Sequence, residues 1–348
     1  MIEQIRGPLR ISLVILSKHF GGAERHVLDL ANELSARDFD IQLIVRSRGW
    51  MNESVRRKLG PSIQINCIPP ILKRWSLKRA LDIFAPDIVH SHLGMASRLV
   101  SQLKLDMPIV ATLHGRFKAK DYGRHNALIC VAPWQRETIP EEFDGIVSVI
   151  PNFLGSTPLQ PDDRTRIRRS HGIPDDASVV GSIGRFSREK GFDVLIKAFQ
   201  HAAIPNSRLL LVGDGPEMPA LRAMASAGVV FAGWQNEAER YYSSFDLFVS
   251  PSRAESFGLT TLQAMQSGTA IITTATEGPV WLLGKDSGLI VPIDDVESMA
   301  QAIEKLATDV NFRTQLSTQA KRKGERFRPG NLIPEIINFY QRLIGQPS

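Results

Sequence analysis

At 348 residues, 43% of them hydrophobic and with no low-complexity stretch, the chain is long enough for two domains with real cores, and disordered or fibrous classes are excluded. No apolar run approaches the roughly 18 to 20 residues that span a bilayer, and the short N-terminal apolar run lacks the flanks of a signal peptide, so a cytoplasmic protein is expected. The formal charge of +6 falls entirely in residues 1–155, which hold 21 Lys and Arg against 15 Asp and Glu, while the remainder balances at 21 each.

Read in chain order, 9–16 (LRISLVIL) is a strand running into the turn-rich SKHFGGAE. Residues 23–38 then place Val27, Leu28, Leu30, Ala31 and Leu34 at helical spacing. Gly21-Gly22 therefore joins a strand to a helix, where backbone N–H groups and the helix dipole can meet an anion; a plain tight turn reads the pair equally well. Further strands are expected at FDIQLIVR, INCIPPI, 87–92 (DIVHSH) and 108–115 (PIVATLHG). Strands alternating with helices predict a parallel sheet with its ligand edge at the strands' carboxyl ends, and His92 and His114 fall at such ends. Cys67 and Cys130 lie in apolar, strand-like contexts and are expected to be buried free thiols in a reducing compartment.

The basic excess is concentrated at Arg56-Arg57-Lys58, at Lys73-Arg74 with Lys78-Arg79, and at Arg116, Lys118 and Lys120. Such an asymmetry suits an anionic partner or membrane surface, although a solvated helix face accounts for any single cluster as well. Aromatics are not interleaved with these runs and no nucleic-acid motif occurs, so nucleic acid is not an expected partner.

Residues 147–163 (VSVIPNFLGSTPLQPDD) are rich in Pro, Gly, Ser and Asp and read as an interdomain linker. The alternation then restarts, with strands at 178–186, 207–215, 229–234, 245–252 and 269–274. Helices are expected at 191–202 and 217–227, and two more near the C-terminus close the second lobe or cross back onto the first. The halves share an architecture without a sequence repeat.

Two stretches of the second half carry chemistry. In GSIGRFSREKGFDVL, Arg185 follows a strand and Lys190 lies five residues on, before a helix. Two cations at one strand–helix loop suit a diphosphate, Arg by bidentate hydrogen bonds and Lys as a point charge; pairing with Glu189 on the surface is the alternative. In VSPSRAESFGLTTLQAM, Glu255 precedes the turn Ser256-Phe257-Gly258 and a helix start, with Gln263 about two turns further. That arrangement offers N–H groups and a carboxylate to phosphate and sugar oxygens, or a Glu at a helix N-terminus with a solvated Gln.

These residues resemble the retaining glycosyltransferases of family 4, which have the GT-B fold. The resemblance runs through GGAERH (21–26), DIVHSH (87–92), TLHG (112–115), IPN (150–152), GRFSREKG (184–191), LLLVGDGP (209–216), FAGW (231–234), FDLFVSPSRAESFG (245–258), LQAMQSGTAII (262–272) and SGLIVP (287–292). It implies an α/β protein of two facing Rossmann-like domains with a cleft between them. Residues 1–153 would be the acceptor-binding domain and 154–348 the donor-binding domain. It implies transfer of a sugar from a nucleotide-sugar donor to an acceptor hydroxyl with retained configuration and without a metal or other cofactor. By that resemblance Arg185 and Lys190 take the donor diphosphate, the Gly21-Gly22 loop faces the phosphates, and Glu255 with the 256–259 backbone (Ser256, Phe257, Gly258, Leu259) holds the sugar hydroxyls. His114 sits beside the reacting sugar, position 263 binds the ribose, and the base lies near Gly215 and Trp234. The implied acceptor is a glycan or glycolipid, anionic if the basic half receives it. The expected pathway is a bacterial surface glycan such as lipopolysaccharide core, with contact at the cytoplasmic face of the inner membrane. Two positions depart from the family pattern: Gln263 stands where a Glu is usual, and Trp281 stands where a Glu often follows the Gly-Pro turn. A partner protein that binds nucleotide sugars without catalysis is the competing reading; retention of Arg185, Lys190 and Glu255 speaks against it.

Overall fold

The computed structural model describes residues 8–47, 49–155 and 160–345. The chain divides into two compact units, one formed by Met1–Gly155 with Pro329–Ser348 and the other by Ser156–Arg328.

The strands of the first unit are β1 (Arg10–Ile15), β2 (Asp40–Arg46), β3 (Gln64–Ile68), β4 (Ile88–His92), β5 (Ile109–Leu113), β6 (Ala127–Cys130) and β7 (Ile146–Val149). They form one sheet in the order β3-β2-β1-β4-β5-β6-β7, with every pairing parallel. Such strands must be covered on both faces, which is why they read as mostly apolar runs without alternation: Ile11, Leu13, Val14 and Ile15 are all fully buried, and the buried Ser12 hydroxyl between them donates to Gln42 Oε1 of β2. The helix Gly22–Ser35 buries the predicted stripe of Val27, Leu28, Leu30, Ala31 and Leu34. The helix Pro329–Ile344 belongs to this unit, and its buried Tyr340 hydroxyl shares a 2.6 Å hydrogen bond with His90 Nδ1.

The second unit contains β8 (Ser178–Ile183), β9 (Ser207–Val212), β10 (Val229–Gly233), β11 (Leu247–Ser250), β12 (Ala270–Thr274) and β13 (Leu289–Val291). Its sheet is again parallel throughout, in the order β10-β9-β8-β11-β12-β13. The helix Phe192–Ala202 packs Leu195, Ile196 and Ala198 into a core shared with Leu209, Leu211, Val249 and Ile272. Arg168, 1% exposed, ties the helix Asp163–Ser170 to this sheet by donating to the Ser244 and Ala177 carbonyls and to Asp246.

In both sheets the chain winds outward on one side and then returns to the other side of its first strand. The order therefore reverses between β1 and β4, and again between β8 and β11. Loops leaving the carboxyl ends of those two pairs diverge and leave a crevice, the favoured place for a ligand in an open parallel sheet.

Two expectations are corrected. The linker expected at 147–163 does contain the division of the two units, between Gly155 and Ser156, but its first part is the edge strand β7 followed by Asn152, Phe153 and Leu154, all buried. Its Pro, Gly and Ser content masked an ordered return into the core, and the part at 156–159 lies outside the described residues. Cys67 is exposed, not buried: β3 is the other edge strand, and Arg56 Nη2 lies 3.3 Å from its sulfur. Cys130 is buried as expected, and burial pushes its thiol up to about 11. The strand β13 and the helix Val310–Gly324 were not anticipated.

Candidate active site

In the second unit, the loop leaving β8 carries Arg185, exposed and without an ion pair to any other described residue. The backbone then makes a 3-10 turn, Arg188–Lys190, and enters the helix at Gly191. Gly191 has φ +65°, and a Cβ there would lie 2.0 Å from the Pro251 carbonyl oxygen. The loops after β8 and β11 are thus pressed together at this point in a way that only glycine permits.

That contact brings Lys190 to Glu255: the ammonium donates to Oε2 at 2.5 Å, with the side chains 31% and 16% exposed. The two residues singled out from separate motifs, 65 positions apart, meet in one place. The surface pairing of Lys190 with Glu189 is not what forms.

Arg253, which the sequence reading passed over, holds the two loops in register. Its guanidinium grips Asp193 with both terminal nitrogens, at 2.9 and 2.8 Å, and Asp294 through Nε at 2.6 Å. The same side chain donates to the Arg188 carbonyl, and its backbone N–H donates to the Glu189 carbonyl. The hydrogen bonds from Arg253 hold the Asp193 carboxyl below its usual range. A planar fork with donors on three sides suits this junction, where a lysine could satisfy one partner.

Beyond Glu255 the chain turns through Ser256 and the buried Phe257 to Gly258, whose φ of +92° makes it the left-handed cap of the helix Leu259–Ser267. The first N–H groups of that helix have no intrahelical acceptor, so they face whatever lies before Gly258. Gln263 is four residues after Leu259, on the same helix face about 6 Å further along, and makes no hydrogen bond to another described residue. Trp281 packs on Phe257 and Phe327, with centroids 6.1 and 5.7 Å apart. The departure at 281 thus exchanges a carboxylate for an aromatic brace behind the 255–258 loop. Gly215 lies in the loop after β9, packed on the Phe186 backbone, and Trp234 follows β10 with 59% of its surface exposed.

In the first unit, Gly21 precedes the helix Gly22–Ser35 in an extended conformation open to any residue, φ −156°. Its value is space: a Cβ would stand 3.3 Å from Glu24 Oε2, and Glu24 is buried in the helix's first turn. The helix N-terminus therefore already faces a carboxylate, which weakens the case for this turn alone as an anion site.

Behind it lies a cluster that the sequence reading saw only in part. His114 follows β5 and His92 ends β4, with a 3.2 Å hydrogen bond between His92 Nδ1 and His114 Nε2. His26, on the helix Gly22–Ser35, stacks edge-on against His114 at 5.8 Å, and His90 lies 4.3 Å from His92. Burial first, then the neighbouring imidazoles, drives His90 down to about 3 and holds His26 and His92 well below 6.5. Burial lowers His114, whose edge still reaches solvent, to about 4. All four are held in the neutral form near pH 7, and His90, His92 and His114 act as hydrogen-bonding groups, not as cations. His26 Nδ1 and His92 Nε2 have no partner, and among the described residues no set of His, Cys, Asp or Glu converges as metal ligands would. His26 was detectable in the sequence as a polar interruption of the buried helix stripe.

Residues 20–154 match the family described as Glycosyltransferase Family 4, and residues 177–309 match Glycosyl transferases group 1. The lipopolysaccharide core biosynthesis glycosyltransferase LpsE of Rhizobium meliloti is 31% identical over 349 residues, covering 94% of this chain and 98% of that protein. The chain is a family 4 glycosyltransferase. LpsD of the same organism, also a lipopolysaccharide core biosynthesis glycosyltransferase, is 30% identical over 87% of this chain and 90% of its own length. Among solved structures, Anabaena HepE in complex with UDP-glucose superposes with a TM-score of 0.84 at 18% identity, covering 96% of this chain and all of that one. The fold of this glycosyltransferase is GT-B, built from the two parallel sheets described above.

Proposed function

We propose that this glycosyltransferase moves a sugar from a nucleotide-sugar donor to a hydroxyl of a lipopolysaccharide core or related anionic glycolipid, with retention of configuration and without a metal. The observation that carries the reading is the meeting of Lys190 and Glu255, beside the loop that bears Arg185, at the reversal point of the second sheet. A leaving nucleoside diphosphate gains negative charge as the sugar bond breaks. Two cations and open helix N–H groups stabilise that charge. Glu255 and the backbone of 256–259 take the sugar hydroxyls, Gln263 the ribose, and exposed Trp234 with Gly215 the base. His114 is assigned to the reacting sugar. The names of LpsE and LpsD support the pathway, and HepE's UDP-glucose supports the donor class.

Among the described residues no helix is long and apolar enough to cross a membrane. A lipid-linked acceptor then calls for peripheral contact, which we place at the cytoplasmic face of the inner membrane. The test offers nucleotide sugars with and without isolated lipopolysaccharide core acceptors and reads product anomer by NMR, with excess chelator in parallel. Transfer with the donor's own anomeric configuration, unaffected by chelator, is expected; an inverted product or loss of activity on chelation overturns the corresponding part.

A further inference from the structure

Among the described residues, the four most exposed large apolar side chains are Ile71, Ile83, Leu72 and Trp75, at 78, 73, 69 and 60%. All four fall within thirteen consecutive residues. The same stretch holds Lys73, Arg74, Lys78 and Arg79, and its single acid, Asp82, is already paired with Lys78. Exposed apolar side chains scattered singly need no explanation, but this concentration does.

The helix Lys73–Phe84 accounts for the geometry. It buries Leu77, Ala80, Leu81 and Phe84 against its own unit. Trp75, Arg79 and Ile83 follow one another at four-residue spacing, and so form a second stripe that faces solvent. The Arg79 guanidinium lies 5.4 Å from the Trp75 ring centroid. Arg74 is anchored by donating to the Gln102 carbonyl at 2.7 Å. Leu72, the helix cap, sits in the left-handed region at φ +59°, a strained conformation for a branched side chain.

We propose that residues 71–83 form a docking surface for a bilayer with anionic phosphate headgroups. Ile71, Leu72 and Trp75 enter the interfacial layer, where an indole is at home, and the four cations lie among the phosphates. Charge complementarity selects this occupant. A second copy of the chain on a two-fold axis would set the same cations against each other. The proposal rests on the lipid-linked acceptor above only for its purpose, and its test reads lipid binding directly, so the two can fail separately.

The full chain is sedimented with vesicles of phosphatidylcholine containing about a third phosphatidylglycerol, and with pure phosphatidylcholine. Each exposed cation near an anionic surface is worth about a fivefold change in affinity, so binding at least tenfold tighter to the anionic vesicles is expected. The pairs Ile71→Ser with Leu72→Ser, and Arg74→Glu with Arg79→Glu, should each weaken that binding at least tenfold. Nucleoside-diphosphate binding should not change, which also checks that the variants fold. A blue shift of tryptophan emission on anionic vesicles, lost in Trp75→Phe, gives a reading on an otherwise unaltered surface. Three results overturn the proposal: no binding of the unaltered chain to anionic vesicles, equal binding by both pairs of variants, or a concentration-dependent dimer that the variants abolish.

Discussion

The ion pair between Lys190 and Glu255 sets two groups against each other that the proposed function assigns to the donor. A diphosphate entering this loop competes with a carboxylate for the ammonium, while a sugar hydroxyl competes with the ammonium for the carboxylate. The two functions of Glu255 can therefore be separated. Glu255→Gln should tighten binding of a bare nucleoside diphosphate while lowering sugar transfer at least tenfold; calorimetry and turnover moving in the same direction would show that the pair is purely structural. Lys190→Ala should lower turnover at least tenfold, since on the proposed function it removes the charge that meets the leaving group. Position 263 is different, because the proposed function puts it on the nucleoside and not at the breaking bond. An amide keeps two lone pairs but loses charge assistance, about 1 kcal/mol or a factor of five in affinity. Gln263→Glu should hold activity within about tenfold and tighten the donor, and inactivation would reveal a donated hydrogen bond that a carboxylate cannot supply. The residues proposed to meet the donor were legible in the sequence because they sit at strand ends in recognisable order. Arg253 was not, because its meaning comes from Asp193 and Asp294, 60 and 41 positions away.

At the scale of elements, the parallel sheets were legible because strands buried on both faces are predominantly apolar and do not alternate. β7 and its continuation were not, because an edge strand is only half covered and its apolar pattern is interrupted. The same economy misplaced Cys67, whose neighbours are apolar but whose strand has one open side. What no local pattern shows is which loops touch. The contact between the loops after β8 and β11 is made where Gly191 meets Pro251, and it decides whether Lys190 reaches Glu255. Gly191→Ala would place a methyl group against a backbone oxygen and demand a left-handed conformation of an L-residue. A loss of about 2 kcal/mol or more in stability is expected, with donor affinity falling alongside. Retention of both in a denaturation and binding series would mean that the loops have slack the packing does not show.

Across the whole molecule the two units differ in how they hold buried polar groups. Six of the eight histidines lie in residues 1–155, and His26, His90, His92, His114 and His125 there are all depressed, chiefly by burial. The second unit instead buries ion pairs. Burial works to raise the Asp246 carboxyl, but hydrogen bonds from Arg164 and the Val179 N–H, with Arg168 beside it, hold it below its usual range. These shifts act on stability in separate pH windows. A histidine whose folded pKa is lowered contributes fully above its unfolded value near 6.5. That contribution is lost as pH falls toward about 4, because the unfolded chain binds protons that the folded cluster refuses. A depressed carboxylate contributes fully above about 4 and is lost only below it. Even two histidines titrating together cost about 2.7 kcal/mol per pH unit in the upper window. The first unit should therefore lose more of its urea resistance than the second as pH drops from 7 to 5, since the second also carries a histidine lowered by burial, His171, but no cluster of them. Variants that keep one tryptophan report the units separately: Trp50, bonded to the Ser17 hydroxyl, for the first and Trp281, packed on Phe257, for the second. The expected result is a urea midpoint that falls steeply for Trp50 and only shallowly for Trp281. His90→Asn, which removes one of the buried imidazoles, should flatten the Trp50 dependence; equal pH slopes from both tryptophans would remove the cluster as the source of acid sensitivity.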